Sequence, residues 1–424
     1  MEINQIPEGW KMTTLGEVAE INELTIDKNY PYKTIEYIDI ASVNTRDLGI
    51  TQKLNLLDAP SRAKRIIRDC DTLISTVRPN LKHFCYIKKA KPNYVASTGF
   101  AVISSKTSDS KFIYYLLTTN EYTDYLTKVA DSQTSTYPAF NAEIITSSKF
   151  LLPPLPEQKA IAEVLSSLDN KIELLREQNQ TLEAIAQAIF KEWFVNFNFP
   201  TTNGKPYRSS GGPLIDSELG PIPEGWRVGK LGEIIDVKDG THDSPKPSST
   251  GHFLITSRHL LQSGLDFKNS YLISEEDFNQ INRRSKVDRF DILISMIGTV
   301  GLLYFVLEDE IDFAIKNVGL FKTSQKKELA EYIYLFLQSA EGIQRIQSSI
   351  AGTTQAYVTL ETLRNIRITI PDDPIIINFN EASRSIFSKI HNNQSQIQTL
   401  STLRDELLPK LMKGEIRVKD FYKI

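Results

Sequence analysis

Cysteine is nearly absent: the 424 residues contain two, Cys70 and Cys85, with no close pair and no histidine cluster beside them. That excludes a disulfide framework and a structural zinc site, and it points to a reducing cytosol. Long hydrophobic runs are missing too; none approaches the ~20 residues that span a bilayer. The opening Met1-Glu2-Ile3-Asn4-Gln5-Ile6-Pro7 has neither the basic start nor the apolar stretch of a secretion signal. A cytoplasmic protein without a membrane partner is expected. An excess of one charge is equally lacking, with 49 Lys and Arg against 52 Asp and Glu and a net charge of -3. Whole-chain charge therefore announces no polyanionic partner. What remains is ordinary globular composition, in a chain long enough for two or more domains.

What is present is a repeat. Ile6-Pro7-Glu8-Gly9-Trp10 returns as Ile222-Pro223-Glu224-Gly225-Trp226, a shift of 216 residues, and Leu15-Gly16-Glu17 returns as Leu231-Gly232-Glu233. Asp71-Thr72-Leu73-Ile74-Ser75 answers Asp291-Ile292-Leu293-Ile294-Ser295, and Phe112-Ile113-Tyr114-Tyr115-Leu116 answers Tyr332-Ile333-Tyr334-Leu335-Phe336, both at a shift of 220. Ordered echoes at nearly one period mark two copies of a single unit. Each copy mixes short β-branched runs (72–77, 287–297, 366–370) with helical stretches such as 111–127, punctuated by turn signals at Arg78-Pro79-Asn80, Asp239-Gly240 and Gly298. The expected class is α+β, with two similar mixed α/β domains.

Each copy ends in a long helix. No proline or glycine interrupts 157–194, where Ile161, Leu165, Leu168, Ile172, Leu175, Asn179, Leu182, Ala186, Ile189 and Trp193 alternate steps of four and three. The second copy repeats the rhythm with Phe379, Ser383, Ile386, Ile390, Asn393, Ile397, Leu400, Arg404, Leu407 and Leu411, and Gly414 suits its C-terminal cap. Two asparagines lie mid-seam, and a buried amide needs a partner. Placing Asn179 opposite Asn393 in an antiparallel pair brings Ile161 to Leu411, Leu165 to Leu407, Ile172 to Leu400, Leu175 to Ile397, Leu182 to Ile390 and Trp193 to Phe379. The expected arrangement is two domains separated by two long antiparallel coiled-coil helices with pseudo-two-fold symmetry; the alternative is two amphipathic helices, each lying on its own domain. A helix of roughly 39 residues at ~1.5 Å each makes a rod of about 58 Å. Its acidic excess would repel a polyanion and leave it open to protein partners. The boundaries read 1–155 for the first domain, 156–196 for the central helix, 197–221 for a Pro/Gly/Ser-rich linker, 222–372 for the second domain, and 373–424 for the C-terminal helix and tail.

On these residues the chain resembles the specificity subunit of type I restriction–modification systems. The resemblance rests on the paired Ile-Pro-Glu-Gly-Trp openings and on Leu152-Pro153-Pro154-Leu155-Pro156-Glu157-Gln158 before the central helix. It rests also on 291–301, on Gly352-Thr353-Thr354-Gln355, and on the ending Leu408-Pro409-Lys410-Leu411-Met412-Lys413-Gly414-Glu415-Ile416. It spans essentially the whole chain. The resemblance implies one target-recognition domain per half-site of a split double-stranded DNA target, with the helices as spacer. It implies two methyltransferase subunits docked on those helices, and two motor-nuclease subunits joining for cleavage. S-adenosylmethionine, ATP and Mg would serve those partners, and this chain would bind no cofactor or metal. The first copy departs from the pattern, with Asp131-Ser132-Gln133-Thr134-Ser135-Thr136-Tyr137 where the second has Gly352-Thr353-Thr354-Gln355-Ala356-Tyr357.

Base edges are read by Arg, Lys, Asn, Gln, Ser and Thr, and phosphates by basic and hydroxyl groups. Polar loops at matched places therefore supply the DNA-binding candidates: Thr76, Arg78, Asn80, Lys82, Gln133, Thr134 and Ser135 in the first domain. In the second they are Thr241, His242, Lys246, Arg258, Thr299, Thr353, Thr354 and Gln355. The plain alternative for each is a turn residue or a solvated side chain. Two basic runs also match, Arg62, Lys64, Arg65 and Arg68 against Arg283, Arg284, Lys286 and Arg289, and suit phosphates. Tyr137 and Tyr357, at equivalent places, suit either stacking or hydrogen bonding near DNA or packing in the core, and core packing is the expected role.

Two other classes compete. A DNA methyltransferase or nuclease carrying its own recognition domains would need an Asn/Asp-Pro-Pro-aromatic motif or a carboxylate–lysine cluster. The chain's Pro153-Pro154 lies between leucines, and Gly298-Thr299-Val300-Gly301 lacks the lysine of a phosphate-binding loop. A structural coiled-coil adaptor would explain the helices but not the duplicated domains. A non-catalytic subunit is the expectation.

Overall fold

In a computed structural model the described residues are 6–133, 138–261, 264–352 and 356–418. The chain divides into two compact units, Met1–Glu173 with Gln398–Ile424, and Leu174–Ile397. Each unit thus holds one domain, the first turns of one long helix and the last turns of the other.

In the first domain, strand Lys11–Thr14 pairs antiparallel with Lys149–Leu152, joining the domain's opening to the segment that enters the central helix. A four-stranded antiparallel sheet runs in the order Ala19–Ile21, Phe100–Ser105, Thr72–Ser75, Phe84–Tyr86. The repeated Asp-Thr-Leu-Ile-Ser is an inner strand of this sheet and is buried on both faces, which is why it reads as an unbroken apolar run. A second sheet runs Gln52–Asn55, Thr34–Ile38, Tyr94–Ser97, Ala63–Ile66, and its inner pair is parallel.

The expected helix over 111–127 is instead two, Ser110–Leu117 and Asn120–Gln133. The break has a local cause: the Thr119 hydroxyl accepts from the Tyr122 amide at 3.2 Å, a cap that restarts the helix. The first of these packs on that sheet, and both bury apolar side chains in one core, where Phe112, Ile113, Tyr122 and Leu126 lie with Leu15 and Ile145. Large apolar side chains buried in this way stabilise by about 1.5–3 kcal/mol each.

The second domain repeats the plan. Arg227–Lys230 pairs with Arg367–Ile370, and a sheet runs Val237–Asp239, Val318–Phe321, Ile292–Ser295, Leu303–Phe305. The strands expected over 287–297 and 366–370 are shorter than read: a turn at Asp288 to Asp291 takes the start of one, whose far end leaves the sheet to bridge Ile297 with Tyr357, and a turn from Leu363 to Ile366 takes the first residue of the other. His252–Thr256 and Phe313–Lys316 form the parallel pair. One element differs. Where the first domain borders its parallel pair with strand Ala63–Ile66, the second has helix Glu275–Ser285, capped by Ser274. The two basic runs, matched in sequence, thus stand on a strand in one domain and on a helix end in the other.

The central helix spans Leu155–Phe190 and widens into a π turn, Lys191–Val195. The C-terminal helix spans Asp373–Lys413. Gly414 ends it at φ +70°, and the Glu415 amide returns to the Lys410 carbonyl at 2.9 Å, as a glycine cap should. Segment 197–221 is less open than its composition suggests. Tyr207 stacks on Phe199 at 4.6 Å and donates to the Pro213 carbonyl at 2.7 Å, and Leu214–Ile215 pairs with Ile222–Pro223.

Candidate functional site

In the first domain the loop leaving strand Thr72–Ser75 carries Thr76, Arg78, Asn80 and Lys82, and it lies against the segment that follows helix Asn120–Gln133. The Arg78 amide donates to the Pro138 carbonyl at 2.7 Å, and the Phe140 amide to the Thr76 carbonyl at 3.0 Å. Residues 76–78 and 138–140 are thereby joined at one edge. Arg78 and Asn80 are exposed, as is Gln133 at the helix end. Thr76 is engaged within the fold, since its hydroxyl donates to the Gly99 carbonyl at 3.0 Å. Lys82 donates to Asn120 at 2.7 Å. Thr134, Ser135 and Tyr137 lie outside the described residues.

Arg78 and Lys82 occupy the left-handed region, at φ +48° and +55°. Glycines stand at the matching turns of the second domain, Gly298 at φ +81° and Gly301 at φ +94°. A side chain there costs on the order of 1–3 kcal/mol of backbone strain. The first domain bears that cost to keep two cationic side chains where the second makes do without any.

The second domain repeats the contact between loops. The Gly298 amide donates to the Ala356 carbonyl at 3.0 Å, which places exposed Thr299 beside the strand-like bridge of Ile297 with Tyr357. Tyr357 is 43% exposed, so it lines this edge and does not enter the core as expected. Thr353, Thr354 and Gln355 lie outside the described residues.

Thr241, His242 and Arg258 gather around Asn317, a residue that sequence reasoning missed. Asn317 sits at φ +53° where the parallel strand Phe313–Lys316 ends. Its amide donates to the Thr241 carbonyl at 3.2 Å, and its side-chain oxygen meets His242 Nδ1 at 2.8 Å. The Ser257 hydroxyl, next to exposed Arg258, donates to the Asn317 carbonyl and accepts from the Met296 amide, so this cluster continues into the Thr299 loop. No motif marks Asn317; the only signal was its place after an apolar strand. Gly240 allows the approach: a Cβ there would stand 2.3 Å from the Ile315 carbonyl oxygen.

A concavity of about 570 Å³ opens beside this cluster, lined among others by Thr241, Asp243, Ser244, Lys246, Asp277 and Arg284. The basic runs are partly neutralised. Arg68 pairs with Glu23, Arg284 with Asp239, Lys286 with Asp288 and Arg289 with Asp309.

Within each unit the two long helices meet. In the second, Asn393 Nδ2 donates to Asn179 Oδ1 at 2.8 Å, and the Trp193 and Phe379 rings lie 5.8 Å apart. Leu182 packs in the cluster that contains Ile390, and Leu175 is buried, with Ile397 half-buried. In the first, Ile161, Leu165, Leu407 and Leu411 share one core; Ile172 is buried and Leu400 half-buried. The repeated tryptophans serve these junctions. Trp10 donates to Glu157, which also receives Arg417, while Trp226 stacks on Phe199 at 5.3 Å and meets Phe194 at 5.9 Å. Sequence reading gave Asp169 no role. It accepts from Tyr115 at 2.6 Å and from Arg404 at 2.8 Å. Burial and then the Asp169 carboxylate push the Tyr115 phenol far above its ordinary range, so it remains a donor.

Residues 7–184 and 223–407 each match the family described as the type I restriction modification DNA specificity domain. The chain belongs to this family. It is 27% identical to the type I restriction enzyme MjaIX specificity subunit of Methanocaldococcus jannaschii, over 99% of this chain and 96% of that one. It is 26% identical to the HindI specificity subunit of Haemophilus influenzae, over 96% and 99% of the two chains. The fold is similar to that of a type I restriction–modification S subunit from M. genitalium, with a TM-score of 0.52 at 14% identity, covering 97% of this chain and 98% of that one. No helix among the described residues is long and apolar enough to cross a membrane.

Proposed function

We propose that this specificity subunit reads a bipartite DNA target, one domain per half-site, and is itself non-catalytic. The observation that carries the reading is internal: two domains whose first sheets share one strand order present polar loops at the same edge, while the residues on those edges differ. Arg78 and Lys82 stand in one copy where Gly298 and Gly301 stand in the other, the pattern of one scaffold addressing two sequences.

In this reading the paired helices act as the spacer, related by a pseudo-two-fold, and they dock two methyltransferase subunits. Leu174 and Ile185 on the central helix, and Ile377 and Leu403 on the C-terminal one, keep apolar side chains exposed, and such residues favour protein contact over DNA. S-adenosylmethionine, ATP and Mg belong to the methyltransferase and to a motor-nuclease partner, in the cytoplasm. The test replaces residues 1–155 with the first domain of a relative and co-expresses the chain with its methyltransferase. Single-molecule methylome sequencing should show one half-site changed and the other kept. Methylation by the purified chain alone, or a single undivided motif, would overturn the proposal.

A further inference from the structure

The repeated fold carries an acid at one matched position and brings an arginine to it by different routes. The segments Asn22-Glu23-Leu24-Thr25 and Lys238-Asp239-Gly240-Thr241 correspond at the shift of 216 residues. In the first domain Glu23 holds Arg68, which follows a strand; in the second Asp239 holds Arg284, which comes from the last turn of helix Glu275–Ser285. The second pair is the more built of the two. The Asp239 side chain is 8% exposed, whereas Arg284 is 58% exposed. Asp239 also meets His242 Nε2 at 3.0 Å, and Asn317 holds the opposite ring nitrogen, so one buried carboxylate orders two exposed groups at the rim of the concavity.

The lining of that concavity selects the ligand atoms. Arg284 and Lys246 would attract a phosphate, but Asp243 and Asp277 stand among them and would repel it. A base-pair edge in the major groove presents acceptors and donors side by side, and it suits such a mixed wall. Guanine offers O6 and N7 to a guanidinium, and cytosine offers its N4 amine to a carboxylate. A guanidinium fixed through one nitrogen by a buried acid keeps its other donors pre-oriented.

We infer that Arg284, positioned by Asp239, reads a guanine of a G·C pair in the second half-site. This rests on the bipartite reading above and deepens it. The experiment is methylome sequencing of cells carrying the chain with its methyltransferase, as wild type, Arg284→Gln, Arg284→Lys and Asp239→Asn. The wild type supplies the motif; its failure to yield a split motif would sink the bipartite reading itself. With a split motif in hand, Arg284→Gln should lower discrimination at one G·C position of one half-site by about 5- to 150-fold, leaving the other half-site intact. Arg284→Lys keeps the charge and the fold and should lose the same discrimination, and Asp239→Asn should lose part of it. Full discrimination at every position in both arginine variants, with or without a uniform fall in methylation, would overturn the assignment and leave Arg284 a phosphate or structural contact.

Discussion

Asp169 on the central helix accepts a hydrogen bond from Arg404 on the C-terminal helix at 2.8 Å. Tyr115 donates to the same carboxylate, and Arg46 stands 4.0 Å from it while lying over the Phe84, Tyr114 and Tyr115 rings. The first domain and both helix segments of its unit therefore converge on one acid. At the matching place in the second unit Phe387 packs on Phe305 and Tyr334. Arg404→Leu should destabilise the first unit by about 2–3 kcal/mol, because it strips a charged partner from a carboxylate in a largely closed junction. Asp169→Leu with Arg404→Leu should recover much of that loss. Denaturant unfolding of Arg404→Leu, Asp169→Leu and the double variant checks it, and additive losses would refute the account.

The asparagine pair sets a different balance. Asn393 is fully buried and its side-chain oxygen has no hydrogen-bond partner, so the pair is not optimised for stability. Asn393→Leu should cost about 1–3 kcal/mol by stranding the Asn179 amide. Replacing both with leucine should raise Tm above the wild type while broadening the oligomers seen in sedimentation, since no buried amide pair then singles out one heptad register. A sharp monomer with lowered Tm would contradict this.

Gly240→Ala should impair the second domain alone. The added Cβ would press on the Ile315 carbonyl, which already accepts from the Thr241 amide at 3.0 Å. Methylation dependent on the second half-site should fall, while a chain carrying only the first domain's half-site change remains readable. Unaltered methylation would show that the strand end yields freely.

Asp71 gives a pH dependence with a definite sign. Burial raises its carboxyl pKa, opposed by the Ser104 hydroxyl and the Arg68 amide, with the net direction upward. The folded state then holds the proton more tightly than the unfolded one. Stability from this group is present at pH below the unfolded carboxylate pKa, and it is lost as pH rises through the folded one. Asp71→Asn should flatten the slope of stability against pH in that acidic window, measured by urea midpoints; an unchanged slope would show that the proton is not held there. The second copy meets the same buried acid differently, with Lys322 donating to Asp291.

The candidate site was legible only in part. Loop residues such as Arg78, Asn80 and Thr299 could be picked because polar turns follow repeated apolar strands. Asn317, Asp239 and the use of Arg284 could not, since each acts through a partner at least 45 residues away in the chain. Arg68 and Arg284 show why: one follows a strand and the other ends a helix, and only the structure shows each held by an acid at the matched position.

What the amino-acid order determined by itself was periodic and local: two copies, an inner strand with an unbroken apolar run, and two long helices with a 3–4 apolar rhythm. These follow from side-chain burial repeating at the period of the element, which chain order records directly. Tertiary structure decided the rest. It placed Thr76 inward and Tyr357 outward, broke one expected helix at Thr119, and made Asp169 a junction. Those outcomes depend on which distant groups share a small volume, where desolvation and hydrogen bonding are settled jointly and no single segment carries the information.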